Sequence, residues 1–194
     1  MKEQGWEAIK YIIESRRSVF PPAFNDKPVS RKTISLLLEA ANWAPNHKLT
    51  QPWRFVVMAG NMRKKLGEFM LEDYDSNTRP EQRLEKKRNK LLANPTRSAA
   101  IIAICMKPDI SGKVPEWEEL AATACAVQNL WLTATALGLG GYWSTPKNRE
   151  GIARFLKLDE GTKCLGLFYL GYYDQRPPTP SRRPWNEKVI WMEE

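Results

Sequence analysis

The chain is 194 residues long, 42% hydrophobic and 27% charged, a balance that suits one globular domain over 1–194 and excludes a disordered chain. Lys+Arg number 30 against 22 Asp+Glu, a net charge of +8 that suits an anionic ligand, and no apolar run approaches the roughly 20 residues that span a bilayer. Three dispersed cysteines without a CxxC pair and a single histidine exclude a disulfide framework, a zinc site and a multi-histidine metal centre. With no signal-peptide core in MKEQGWEAIK, the expected address is the cytoplasm.

Residues 6–15 place Trp6, Ile9, Ile12 and Ile13 on one helical face. The segment FPPAFNDKPV is too rich in proline to continue that helix. Ser30 suits the cap of a second helix whose apolar stripe is Ile34, Leu37, Leu38 and Ala41, ending before Pro45. After the polar loop PNHKLTQP, WRFVVMA reads as a strand bounded by Pro52 and Gly60. Asn61 opens a helix through Met62, Leu66, Phe69 and Met70, and RPEQRLEKKRNKLLANPTR is basic and helical in propensity. SAAIIAICM is a continuous apolar run, the mark of a strand buried on both faces. EWEELAATACAVQNLWLTATALG is apolar nearly all round, which places it at the centre of a domain. It ends at Gly138, and LGGYWSTP leads into a helix from about Pro146 to KLDEG. CLGLFYLGY is a third strong strand, and the tail SRRPWNEKVIWMEE ends in a predicted short strand. Strands separated by helices predict a layered domain of the α/β type.

Three places can carry chemistry. Arg16-Arg17-Ser18 ends the first helix, and two guanidiniums with a hydroxyl suit a phosphate. The plainer reading is that arginines in a last helical turn complement the macrodipole. The loop APNHKLTQPW is pinned between Pro45 and Pro52 directly before a strand, a common setting for ligand loops, although a plain turn with an exposed His47 accounts for it too. At Gly138-Leu139-Gly140-Gly141, adjacent glycines let the backbone approach a flat ligand, whereas a helix C-cap needs only one of them. Neither GxGxxG after a strand nor a Walker sequence is present. The cysteines read as small buried apolar residues. The basic run 79–97 reads as a solvated face interrupted by Glu81 and Glu85, and the tryptophans are scattered, so no nucleic-acid partner is expected.

The order of these elements resembles the nitroreductase family, above all its short, single-domain bacterial members. The resemblance rests on a helix ending in RRS, a loop PNHxxTQPWRF before a strand, a central helix ending in GLGGYW, a strand LGxxYLGY and a late Arg-Arg-Pro, and runs from about Trp6 to Trp191. It implies an α+β, three-layer fold with a central, mostly antiparallel sheet flanked by helices. It also implies a homodimer whose C-terminal tails are exchanged onto the partner. FMN is implied as bound cofactor, NAD(P)H as hydride donor, and a nitroaromatic, quinone or similar small molecule as acceptor, in a ping-pong reaction through flavin N5. By resemblance Arg16 and Ser18 hold the FMN phosphate with Arg17 beside them, and Arg182, with Arg183 next to it, reaches the same phosphate from the C-terminal tail. Pro45, Asn46, His47 and Leu49 come from the other subunit to line the ring and ribityl chain, braced by Gln51. Gly140 and Gly141 lie against the ring near N5, and Trp143, Ser144 and Thr145 complete the pocket.

The chemistry is then the cofactor's, and no side chain is expected to be catalytic. His47 is at most a minor proton donor, because solvent reaches an open cleft. Many members carry Lys or Arg two positions after the serine, facing the flavin N1/O2 edge; here that position is Phe20. Either another cation such as Arg54 replaces it or the flavin potential is lower. The helical cover over the site is expected to shrink to the basic segment 79–90. The alternatives are another reaction on the same fold, such as enone reduction or flavin modification, a flavin-binding protein without turnover, or a basic RNA-binding module.

Overall fold

The computed structural model describes residues 2–193. Its first half contains α1 (Lys2–Ser15), α2 (Arg31–Asn42), β1 (Trp53–Met58), α3 (Asn61–Ser76) and α4 (Glu85–Arg97). The second half contains β2 (Ala100–Met106), α5 (Glu116–Ala136), β3 (Leu139–Ser144), α6 (Arg149–Phe155) and β4 (Lys163–Tyr172). Ser30 caps α2 as its sequence suggests, its Oγ accepting the Thr33 N–H at 3.0 Å. Asn148 does the same for α6, accepting from Gly151 N at 2.7 Å.

The strands lie in the order β1-β2-β4-β3, and every neighbouring pair is antiparallel. Helix–strand alternation alone suggests a parallel sheet. The structure instead joins β1 to β2 through two helices, α3 and α4, packed on each other. That return delivers β2 beside the end of β1, so β2 runs back against it. The fold is therefore α+β, with helices on both faces.

β2 is buried at every position, as its unbroken apolar run requires. Its alternate residues Ile102 and Ile104 face α2 and α5, in one core with Leu37, Leu130 and Phe168. Ile101 and Ala103 face a second core with Leu66, Met70, Ile152 and Leu167. Together these give three layers.

Four expectations need correction. LGGYWS is a strand, β3, and not a connector: Gly138 (φ +72°) ends the preceding helix in the left-handed region, and Tyr142 and Trp143 then extend. The glycines hide this strand from propensity. The tail forms no strand among the described residues; Trp185–Lys188 is a 3-10 turn, and Ile190 and Trp191 stand exposed. The apolar face of α1 is largely uncovered, with Trp6, Ile9 and Ile13 all exposed. Cys105 and Cys164 are buried free thiols opposite each other at a bulge between β2 and β4, but Cys125 is exposed on α5. Contact with Cys164, then burial, pushes the Cys105 thiol above its ordinary pKa. No described helix is long and apolar enough to cross a membrane.

A Cβ at Gly141 would fall on the Phe168 ring at the centre of the first core. Gly141→Ala is therefore expected to cost about 1–3 kcal/mol by overpacking. Thermal unfolding should show it as a Tm lower by several degrees; an unchanged Tm would mean the ring yields freely.

Candidate functional site

Arg16 is placed by the last turn of α1, where its backbone N–H bonds to Ile12 O at 3.0 Å. Its guanidinium lies over the Trp131 ring of α5, 4.5 Å from the centroid. Arg17 folds back on its own helix end, donating through Nη1 to the carbonyls of Glu14 (2.5 Å) and Arg16 (2.8 Å). So Arg17 does complement the helix terminus, while Arg16 does not. The Arg17 Nε is buried without a partner among the described residues. Arg182 reaches this place from the tail: partial burial first, then the charges of Arg182 and Arg17, hold the Arg16 guanidinium below its ordinary pKa. Like charges gathered without an acid between them are the electrostatic counterpart of a bound phosphate. Arg183 is engaged elsewhere, its carbonyl accepting from Lys188 Nζ at 3.1 Å.

Ser18 and Val19 run parallel to β3, with Val19 N donating to Gly141 O at 3.0 Å. This joins the RRS segment to the glycine segment. The glycines have a packing reason of their own. A Cβ at Gly140 would press on Val19 and Tyr173 at 2.7 and 2.9 Å, and one at Gly141 would strike Phe168. Trp143 lies over Gly166, where its Nε1 is buried without a partner among the described residues. Ser144 pairs with Leu167, and Thr145 is exposed beyond the end of the strand. Phe20 is half exposed, its ring 4.5 Å from that of Tyr142.

The loop 45–51 lies elsewhere. Asn46 Oδ1 accepts Gln51 N at 3.1 Å, and a 3-10 turn, His47–Leu49, fills the space between. Lys48, Leu49 and Gln51 all have positive φ, at 49°, 56° and 45°. None is glycine, so each carries strain of the kind that gathers at functional sites. His47 Nδ1 is 2.6 Å from Glu118 Oε2 near the start of α5, and Leu49 is 79% exposed. Pro45 is exposed as well.

The structure thus brings Arg16, Arg17, Ser18, Gly140, Gly141 and Arg182 together and keeps Pro45, Asn46, His47, Leu49 and Gln51 apart from them. Glu118 and Trp131 are thirteen residues apart on α5, about 20 Å at 1.5 Å per residue. The loop sits at one end of this helix and the arginines at the other. Arg54 is also far from Phe20. It lies on β1 and Phe20 against β3, the two edge strands, about 14 Å apart across three strand spacings, and its Nη1 is bound to the Gln51 and Trp53 carbonyls at 2.8 Å. The basic segment 79–90 is tied to α3 by Arg88 on Asp75 at 3.0 Å, and α4 packs beside the Pro21–Ala23 turn that follows Phe20.

Sequence reasoning missed Trp131 and Glu118. Trp131 looks like one more apolar residue of a central helix. Glu118 looks like one of three acids suited to a helix N-terminus. A groove of about 480 Å³ beside the edge strand β1, lined by Leu38, Trp43, Trp53 and Phe55 together with the polar Ser35, Glu39 and Asn42, carries no sequence signal either.

The family model described as the nitroreductase family matches residues 13–172. The Bacillus subtilis protein named "Putative NAD(P)H nitroreductase YfhC" is 27% identical over 190 residues, covering 95% of this chain and 94% of that one. Among solved structures, a nitroreductase-like family protein from Bacillus cereus superposes with a TM-score of 0.82 at 32% identity, covering 96% of both chains. A "putative nitroreductase in complex with fmn" from Desulfovibrio desulfuricans gives a TM-score of 0.73 at 25% identity, covering 95% of this chain and 96% of that one. With its RRS segment docked on the glycine edge of an antiparallel sheet and most of its length matched, the chain belongs to the nitroreductase family.

Proposed function

We propose that the protein is an FMN-dependent NAD(P)H oxidoreductase acting as a homodimer, with a cofactor cleft at each end of the subunit interface. The observation that carries this reading is the pair of half-sites at opposite ends of α5. A two-fold axis beside the middle of that helix brings the 45–51 loop of one copy to the arginine cluster of the other. The α5 surface available for such a contact includes exposed Leu120, Ala121, Ala124 and Cys125. Beside it lie Trp6, Ile9 and Ile13 of α1, exposed apolar side chains of the kind an interface covers. The free edge of β1 and its neighbouring groove suit the exchanged tail, whose VIWM stretch would add a strand there.

The donor set fits FMN. Arg16, Arg17 and Arg182 would hold its phosphate with the Ser18 hydroxyl, and Arg17 Nε has a free N–H to give. Arg183 stands next in line. Gly140, Gly141, Trp143, Ser144 and Thr145 would line the ring from one subunit. Pro45, Asn46, His47 and Leu49 would line it from the other, with Gln51 bracing the loop through Asn46. When bound, FMN supplies the two-electron chemistry that links NAD(P)H to a nitroaromatic or quinone acceptor. β3 packs one side of the cleft, which leaves a single open face to serve donor and acceptor in turn. The positive cluster also draws in an anionic nicotinamide dinucleotide. The cytoplasm, where NAD(P)H is supplied, is the proposed location.

Arg16→Ala should purify pale. Losing one charge-assisted contact costs about 1.5–3 kcal/mol, an affinity lower by tenfold or more. FMN content equal to that of the unaltered protein would refute the assignment. In steady state, double-reciprocal plots at several acceptor concentrations should be parallel, and NAD(P)H alone should bleach the flavin anaerobically. Intersecting plots would defeat the single-face mechanism. Removing the residues after Arg183 should loosen dimer and flavin together, read by sedimentation velocity and absorbance. A compact, flavin-loaded monomer would contradict the dimer.

A further inference from the structure

His47 is the single histidine of the chain, and its ring has a fixed partner in Glu118, with Nδ1 to Oε2 at 2.6 Å. The carboxylate is 27% exposed and the imidazole 50%, so the ring stays half open to solvent while Nδ1 is engaged. The loop around it is held in an uncommon shape. Lys48, Leu49 and Gln51 occupy the left-handed region, Asn46 Oδ1 holds Gln51 N, and Lys48 Nζ donates to Lys113 O at 3.4 Å. Such strain persists only where surrounding contacts over-determine it, and a plain surface turn does not call for it. Its effect here is to tie Nδ1 to α5 and leave Nε2, which has no partner among the described residues, on the far side of the ring.

We propose that His47 donates the proton that accompanies hydride transfer to the acceptor, and that Glu118 is its positioning residue. The proposal rests on the reading above, in which the loop of one subunit lines the cleft of the other. Reduction of a quinone needs a hydride and a proton. The hydride comes from the cofactor reduced by NAD(P)H. The proton comes from Nε2–H of the imidazolium and forms the O–H bond of the hydroquinone. The imidazole that remains carries its hydrogen on Nδ1, the tautomer that the Glu118 carboxylate holds by accepting that N–H. Water then restores the proton at Nε2. Sequence alone offers no reason to prefer the ring to solvent as donor; Glu118 provides one, because a ring of fixed tautomer and direction can meet the acceptor.

With only one histidine present, its ring nitrogens are read without ambiguity by 15N NMR of the FMN-loaded protein. In alkaline buffer the Nδ1–H tautomer is expected. Glu118→Ala should revert to the Nε2–H form that predominates for an unconstrained histidine, and Glu118→Gln, whose amide oxygen still accepts, should keep Nδ1–H. Stopped-flow traces supply the second readout. His47→Gln should slow reoxidation by a quinone about 10²-fold more than it slows reduction by NAD(P)H. Glu118→Ala should share that asymmetry, and Glu118→Gln should recover most of it. Should Glu118→Ala fail to fold, the tautomer of the unaltered protein and the Glu118→Gln traces decide alone. An Nε2–H tautomer in the unaltered protein, or equal slowing of both half-reactions with FMN still bound, would overturn the proposal. A protein that takes up no FMN would overturn the functional reading and this proposal together, and the absorbance spectrum of the same sample tells the two failures apart.

Discussion

The length of α5 governs the rest of the molecule. Its buried side, Ala122, Ala126, Leu130 and Ala134, packs against the sheet and cannot slide without opening the first core. Small residues at three of those four positions let the helix lie close to the strands. Because the helix is rigid, whatever its two ends hold stays about 20 Å apart, measured from Glu118 to Trp131. The two groups of residues on which the proposed cofactor site draws therefore cannot meet within one chain.

At the Trp131 end the controlling term is charge. Partial burial first, then the charges of Arg182 and Arg17, make the Arg16 guanidinium costlier to keep ionised. Stacking on Trp131 and back-bonding to the helix carbonyls offset part of this without introducing an acid. A dianion bound as proposed would relieve the repulsion that remains. Binding there should thus stabilise the folded chain as well as occupy the site.

The two edges of the sheet are treated differently. β3 is covered at Gly141 by Ser18 and Val19, which satisfies the Gly141 carbonyl and brings the arginines to that edge. Among the described residues no segment pairs with the outer edge of β1, and a groove of mixed polar and apolar lining runs beside it. An open edge of this kind is where the proposed exchanged strand would pair. The asymmetry follows from the chain path: the N-terminal segment reaches only the β3 side.

Much of the fold is legible in the residues taken in order. The unbroken apolar run of β2, the Ser30 cap, the long apolar helix and the strand CLGLFYLGY all appear where periodicity and capping place them, since these signals report burial along a single element. The order of RRS, PNHxxTQPWRF and GLGGYW is enough to indicate the family. What only the tertiary structure decided are the relations between distant segments: the antiparallel return of β2, the strand β3 masked by its glycines, Arg182 rather than Arg183 beside Arg16, and the uncovered faces of α1 and Cys125. Glu118 and His47 show why. They stand 71 residues apart, and neither residue's local sequence carries any mark of the other. Their meeting is set by the packing of a strained loop against the start of α5, and local propensity holds no information about contacts that the path of the chain creates.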